Sequence, residues 1–191
     1  MDVDMLNLKR ASRGDEAAFE ALIAPHVDVT YRLCLRLMGN EQDAADMTQE
    51  TLVRAWRSLS TYKAQSRFST WLYRIAHNAC LDELRKRKNR QTESLQALRE
   101  MGFDPVDKAD TPERAAESKD TRTRLARAIQ NLNEEHRAAI LLRDVHGLSY
   151  DEIASVLDVN LNTVKSRIAR ARASLRSILE KDAELFTRRN V

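Results

Sequence analysis

Apolar positions recur along this chain with the three-to-four spacing of helices, not the alternation of strands. Asp15 is a residue type that caps helix amino termini, and from it Phe19, Leu22, Ile23, Val27, Leu33 and Leu37 line one side of a helix through Met38. Pro25 predicts a kink or interruption in that run. Gly39-Asn40 ends it, and residues 41–56 form a second helix opened by acids, which suit the positive end of the helix dipole. A polar connection over 57–67 precedes a third long helix over 68–87, with Leu72, Ile75, Ala79 and Leu84 facing a core. Residues 91–120 lose the periodicity and carry Gly102, Pro105 and Pro112, the signature of a linker, though Leu95, Leu98 and Met101 suit a short helical turn. A second block starts near Thr121. Leu125, Ile129 and Leu132 mark one helix there, and Ala138, Ile140, Leu141, Leu142 and Val145 the next, stopped by Gly147.

The sharpest local pattern lies over 148–175. Ser149 and Glu152 have the spacing of a capping box, in which hydroxyl and carboxylate satisfy each other's backbone amide. Ile153, Ala154 and Leu157 then make one short apolar face, Asp158-Val159-Asn160 a turn, and Asn160 a cap for a second helix. On that helix Val164, Ile168, Ala171, Leu175 and Ile178 form a single apolar stripe. Ser166, Ala169, Arg170 and Ala173 fall roughly opposite, with Lys165 and Arg176 on the flank. Cations for phosphates and small residues that let a helix sink into a groove are what major-groove reading requires. The pattern is that of a helix-turn-helix.

Composition narrows the classes. Of 191 residues, 32% are charged and 5% aromatic, with four glycines and three prolines, which disfavours sheets and favours an all-α chain. No run approaches the roughly 20 apolar residues of a membrane span, and no signal-peptide pattern opens the sequence. Two cysteines, Cys34 and Cys80, cannot build a disulfide framework and fit a reducing, cytoplasmic setting.

The net charge of +3 says less than its distribution. Residues 85–90 hold five cations in six positions, and 161–176 hold Lys165, Arg167, Arg170, Arg172 and Arg176 with no acid. Between them, 91–120 carries eight acids against four bases. Two basic clusters split by an acidic stretch suggest two nucleic-acid surfaces, or else solvated helix faces.

On the second helix, Asp46, Gln49 and Glu50 sit on adjoining faces beside Leu52 and Trp56. A polar docking face rimmed by apolar side chains fits better than acid–base chemistry, because no nucleophile or phosphate loop lies nearby. A plain solvated helix and a divalent metal site on Asp43, Asp46 and Glu50 are the alternatives. His77 and Cys80 are two ligands three apart, which do not make a metal site, and no metal or cofactor is expected. His136 and His146 show no partner pattern, and Trp56 and Trp71 suit core or interface anchors.

The ordered residues Asp46-Met47-Thr48-Gln49-Glu50, then Phe68-Ser69-Thr70-Trp71-Leu72-Tyr73-Arg74-Ile75-Ala76-His77-Asn78, then Thr163-Val164-Lys165-Ser166-Arg167 within the helix-turn-helix, resemble the extracytoplasmic-function (ECF) sigma factors of bacterial RNA polymerase. The resemblance implies two small helical domains: sigma region 2 over 1–90 and sigma region 4 over 121–191, joined by a linker over 91–120. It implies a promoter-specificity subunit without catalytic activity, an alternative stress or envelope-response factor controlled by an anti-sigma protein. Its partners would be core RNA polymerase, through the clamp helices of the largest subunit and the flap, and promoter DNA. Asp46, Gln49, Glu50, Leu52 and Trp56 would bind the polymerase. Lys63, Arg67, Phe68 and Ser69 would take up a flipped base of the minus-ten element, and Asn78, Asp82 and Arg85 would read it along the next helix. Lys165, Ser166, Arg167, Ala169, Arg170 and Arg176 would meet the minus-thirty-five element.

Two departures matter. A larger aromatic or an Arg is common in the family where this chain has Ala169 and Lys165, so its minus-thirty-five sequence does not transfer from a relative. Trp71 is followed by Leu72, so the adjacent tryptophan pair of primary sigma factors is absent and strand opening would depend on a stricter promoter match. The rival to this family is a stand-alone helix-turn-helix regulator with a sensing or dimerising amino-terminal domain.

Overall fold

Asp15 caps the long helix α2 (Glu16–Met38), its carboxylate accepting from the Ala18 amide at 3.0 Å, while the short α1 (Met5–Ala11) precedes it. The structure is a computed structural model that describes residues 5–100 and 117–189, and of 91–100, 117–122 and 182–189 the backbone alone. Pro25 does not interrupt α2, which continues across it. Gly39 ends the helix at φ 87°, and its amide donates to Leu35 O at 2.9 Å. Asn40 then caps α3 (Glu41–Ser58) by accepting from the Asp43 amide at 2.8 Å.

The expected polar connection after α3 contains one 3-10 turn (Leu59–Thr61) whose Leu59 is buried. The third long helix, α4 (Phe68–Glu100), runs well beyond the expected end at residue 87 and into the expected linker. Gln, Leu, Ala, Arg and Glu are good helix formers, and no glycine occurs between Gly39 and Gly102. The remainder of that linker, 101–116, lies outside the described residues. Then come α5 (Glu117–Gln130), α6 (Glu134–Ile140), a wide turn over Leu141–Val145, α7 (Tyr150–Leu157) and α8 (Leu161–Arg189). The described residues thus form eight α-helices and no strand, and none is long and apolar enough to cross a membrane.

One apolar cluster closes the amino-terminal half: Phe19, Leu22 and Ile23 of α2 pack with Ala55, Leu59, Phe68, Trp71 and Leu72. A larger one joins the halves. Leu33, Cys34 and Leu37 of α2 and Tyr73, Ala76 and Cys80 of α4 share a core with Leu141, Leu142, Ile153, Val164 and Ile168. The two expected helical regions are both present, and periodicity alone could not show that they pack together. Polar contacts follow the seam. Gln130 Nε2 donates to Arg36 O at 2.7 Å, and the Thr70 hydroxyl to Glu152 Oε1 at 3.3 Å.

Two of the apolar positions that mark these elements face outward: Leu125 of α5 and Val145 of the wide turn are 42% and 44% exposed, while Ala128, Ala139 and Leu142 are buried. Val156, not marked by the spacing argument, is buried with Ile153 and Leu157.

Candidate nucleic-acid and protein interface

Three polar surfaces emerge from these elements. The first is on α3. Asp46 and Gln49 are exposed and Glu50 half-buried, while Leu52 and Trp56 tuck against the amino-terminal core, with the Trp56 ring edge-on to Phe19 at 4.9 Å. Val53 is 43% exposed, four residues from Gln49 and seven from Asp46, so it is the apolar side chain most open on this face. The spacing of Val53 to Gln49 and Asp46 is present in the sequence, but spacing alone does not show which of Leu52, Val53 and Trp56 stays open.

Asp43 is not part of an open acid cluster. It takes a two-armed contact from the Arg87 guanidinium, which also donates Nε to Glu83 Oε1 at 2.9 Å. That contact, with a bond from Asn40, holds the Asp43 carboxyl down at about 2. Arg87 is thereby withdrawn from the cationic run 85–90, of which Arg85, Lys86, Lys88 and Arg90 are exposed. No group of three or more metal-ligating side chains occurs among the described residues. Cys80 lies against Cys34, with which it shares a hydrogen bond in the core; that bond pushes the Cys80 thiol up and the Cys34 thiol down.

The second surface is the loop before α4 together with the outer face of that helix. The Tyr62 hydroxyl donates to Ser66 O at 2.7 Å and closes the loop, and Ala64 holds the left-handed region at φ 55°. Lys63 and Arg67 are exposed and Ser69 is half-buried. Phe68 is a correction: at 3% exposure its ring is core, between Tyr62 and Trp71 at 5.4 Å each, and its side chain is absent from the loop's surface. Along α4, Asn78 and Arg85 are exposed and Asp82 half-exposed, one helical face at steps of four and three. A groove of about 330 Å³ separates this face from α3, lined by Asp46, Glu50, Arg54, Asp82, Glu83 and Lys86 among others.

The third surface is on α8. Ser149 and Glu152 form the expected capping box of α7, with bonds of 3.2 and 2.8 Å. Asp158 makes the turn in the left-handed region at φ 52°, and Asn160 Oδ1 accepts from the Thr163 amide at 2.8 Å. Val164, Ile168 and Ala171 are buried; Lys165, Ser166, Ala169, Arg170, Ala173 and Arg176 are exposed. Arg167 differs from its neighbours. Its side chain is only 18% exposed and pairs with Glu135 of α6 at 2.8 Å. Arg172 is likewise engaged, its guanidinium on Asp144 at 2.6 and 3.1 Å. His146, unremarkable in the sequence, lies in the seam with its ring 5.0 Å from Tyr73.

An all-α chain whose helix-turn-helix turns an acid-free, cationic face outward has the build of a DNA-binding protein. Residues 22–90 match the family described as Sigma-70 region 2, and residues 122–175 match Sigma-70, region 4. The ECF RNA polymerase sigma factor SigE of Mycolicibacterium smegmatis is 41% identical over 88% of this chain, which spans 65% of that relative's length. SigW of Bacillus subtilis is 34% identical over 90% of this chain and 94% of its own. Among solved structures, the sigma factor RpoE in complex with the anti-sigma factor NepR from Bartonella quintana has a TM-score of 0.67 at 25% identity, over 85% of this chain and 96% of that one. CnrH in complex with the cytosolic domain of CnrY also scores 0.67, at 28% identity, over 95% and 99% of the two chains. The chain belongs to the ECF sigma factors of RNA polymerase, which are transcription initiation factors.

Proposed function

We propose that this protein directs promoter-specific initiation by dividing three tasks among its three surfaces. Asp46, Gln49, Glu50 and Val53 dock on core RNA polymerase, with Leu52 and Trp56 supporting them from beneath. The loop from Lys63 to Ser69, with Asn78, Asp82 and Arg85, takes the minus-ten element: a splayed base needs a pocket, free hydrogen-bonding groups and nearby cations. Lys165, Ser166, Ala169 and Arg170 enter the major groove at the minus-thirty-five element, and Arg176 holds a phosphate. Residues 1–90 and 121–191 are the two functional units. The chain has no catalytic activity of its own and works in the cytoplasm. RpoE was solved bound to the anti-sigma factor NepR, and CnrH to the cytosolic domain of CnrY, which supports control of this chain by an anti-sigma protein.

The observation that carries this reading is the outward face of α8, exposed from Lys165 through Arg176 and free of acids, on a chain of this family. Run-off transcription with purified core polymerase and genomic fragments tests it. Discrete transcripts that depend on the full chain are expected. Duplex binding without any polymerase-dependent transcript would favour a stand-alone regulator, and magnesium-dependent DNA cleavage would favour an enzyme.

A further inference from the structure

The helices α3 and α4 are bridged twice, each time by an arginine that holds one acid on its own helix and one on the other. Arg87 of α4 takes Glu83 and Asp43. Arg54 of α3 takes Glu50 Oε1 with its Nε at 2.7 Å and Asp82 Oδ2 with its Nη1 at 2.9 Å. The two bridges look alike, but their acids do not. Glu50 belongs to the proposed polymerase face and Asp82 to the proposed promoter face, so one guanidinium is shared between two surfaces with different partners. From this geometry we infer that Arg54 is a positioning residue: it orients Asp82 for base reading and couples that reading to capture of Glu50 by the polymerase.

This inference rests on the assignment of those two faces proposed above. With Oδ2 held by Arg54, Asp82 keeps Oδ1 to accept from an exocyclic base amine, between Asn78 and Arg85. A bare carboxylate beside DNA phosphates would be repelled, and the guanidinium neutralises it there. In the free protein Arg54 divides its fork, and both acids raise its pKa, Glu50 more than Asp82. When a polymerase cation takes Glu50, the whole guanidinium goes to Asp82. The side chains of Arg54, Glu50 and Asp82 are 36%, 44% and 46% exposed, so incoming partners can reach them and each contact is weak enough to exchange.

The test uses the full chain with purified core polymerase and reads two quantities: core affinity, and preference among minus-ten variants in the holoenzyme. Asp82→Asn should weaken preference at one base position, and Arg54→Met should weaken it at that same position by about two- to five-fold. The double variant should lose no more than Asp82→Asn alone. Asp82→Asn should also lower core affinity by about two- to five-fold, because Arg54 then turns wholly to Glu50, and Arg54→Met should abolish that cross-effect. Arg87→Met is the control. It removes the other bridge between the same helices, so it should lower the melting temperature without moving either readout. If Arg54→Met fails to fold, Arg54→Lys, which can hold one acid at a time, should show a reduced cross-effect. A preference unchanged in Arg54→Met, a loss spread evenly over all positions, or a core-affinity effect of Asp82→Asn that survives Arg54→Met would each overturn the inference. If instead Glu50→Gln leaves core affinity intact and Asp82→Asn leaves every preference intact, it is the assignment of the faces that fails.

Discussion

The Arg137 guanidinium donates to the carbonyl of Leu37 at 2.7 Å, joining α6 to the last turn of α2 across the seam between the two halves. Its other terminal nitrogen serves Leu132 O at 2.9 Å and also Gln130 O, at the end of α5. One cation therefore sits where two helix dipoles end, meeting carbonyls in the last turns of α2 and α5 and that of Leu132 in the connection to α6. Removing it should be costly. Charge-assisted bonds contribute about 1.5–3 kcal/mol each, and carbonyls stripped of a donor in a buried seam add to the loss. Arg137→Met should destabilise the full chain by about 3 kcal/mol, and Arg137→Lys by less, since an ammonium can still meet one carbonyl. Urea unfolding of the three proteins checks this; equal midpoints would show that the seam does not depend on Arg137.

The capping box of α7 supports a smaller prediction. Ser149 Oγ accepts from the Glu152 amide, and Glu152 Oε2 accepts from the Ser149 amide. Loss of an N-cap hydroxyl typically costs about 1 kcal/mol. Ser149→Ala should lose about that much, and Ser149→Asp should retain most of the stability. Glu152 also accepts from Thr70 of α4, so Thr70→Val should cost less than Ser149→Ala, having one longer bond of 3.3 Å to lose. Thermal melts of all three decide the order.

That capping box was legible in the sequence because it is local, as were Asp15, Gly39, Asn160 and the Val164–Ile168–Ala171 stripe. What escaped depends on contacts between distant elements. Arg167 and Arg172 read as free cations because no acid lies within their own run, yet Glu135 and Asp144 reach them from the preceding elements. Phe68 stood in a polar loop motif, and only the aromatic cluster with Tyr62 and Trp71 shows why it faces inward. Cys34 and Cys80 are far apart in sequence and meet because α2 and α4 cross there.

His146 gives the pH dependence. Its ring lies against Tyr73 of α4, with Arg36 and Arg32 of α2 near it, and its Nε2 is buried without a hydrogen bond among the described residues. Burial, then those cations, push its pKa down to about 4. In the unfolded chain the value returns to about 6.5, so the unfolded state binds the proton more readily. The contribution is therefore fully present above pH 6.5 and is lost as pH falls from 6.5 toward 4. Discounted for partial exposure, it should reach about 1.5 kcal/mol at pH 5. Burial lowers His26 and His77 as well, so the comparison must be by difference. His146→Phe should lose less stability between pH 7 and pH 5 than the parent chain, by about that amount. Equal losses would mean that His146 is hydrated in the folded chain.

The outward face of α8 separates base reading from anchoring. Arg170 is exposed opposite the Val164–Ile168–Ala171 stripe, where a side chain can reach base edges in the major groove. Arg176 is exposed nearly two turns farther along and to one side, where the phosphate backbone is nearer. Arg167 and Arg172 are held by Glu135 and Asp144, and the surface acid competes with DNA for each. Arg170→Ala should cost about 1–3 kcal/mol and relax preference at particular minus-thirty-five positions. Arg176→Ala should weaken all sequences alike and reduce the salt slope by about one. Asp144→Asn releases Arg172 and should strengthen binding to every sequence, with a steeper salt dependence, because the freed cation adds a phosphate contact without reading a base. The measurement uses holoenzyme, a library of minus-thirty-five variants and several salt concentrations, since α7 and α8 share a core with the amino-terminal half in the free chain. Uniform losses in Arg170→Ala, with no position changing its preference, would mean that this helix anchors the promoter without reading it.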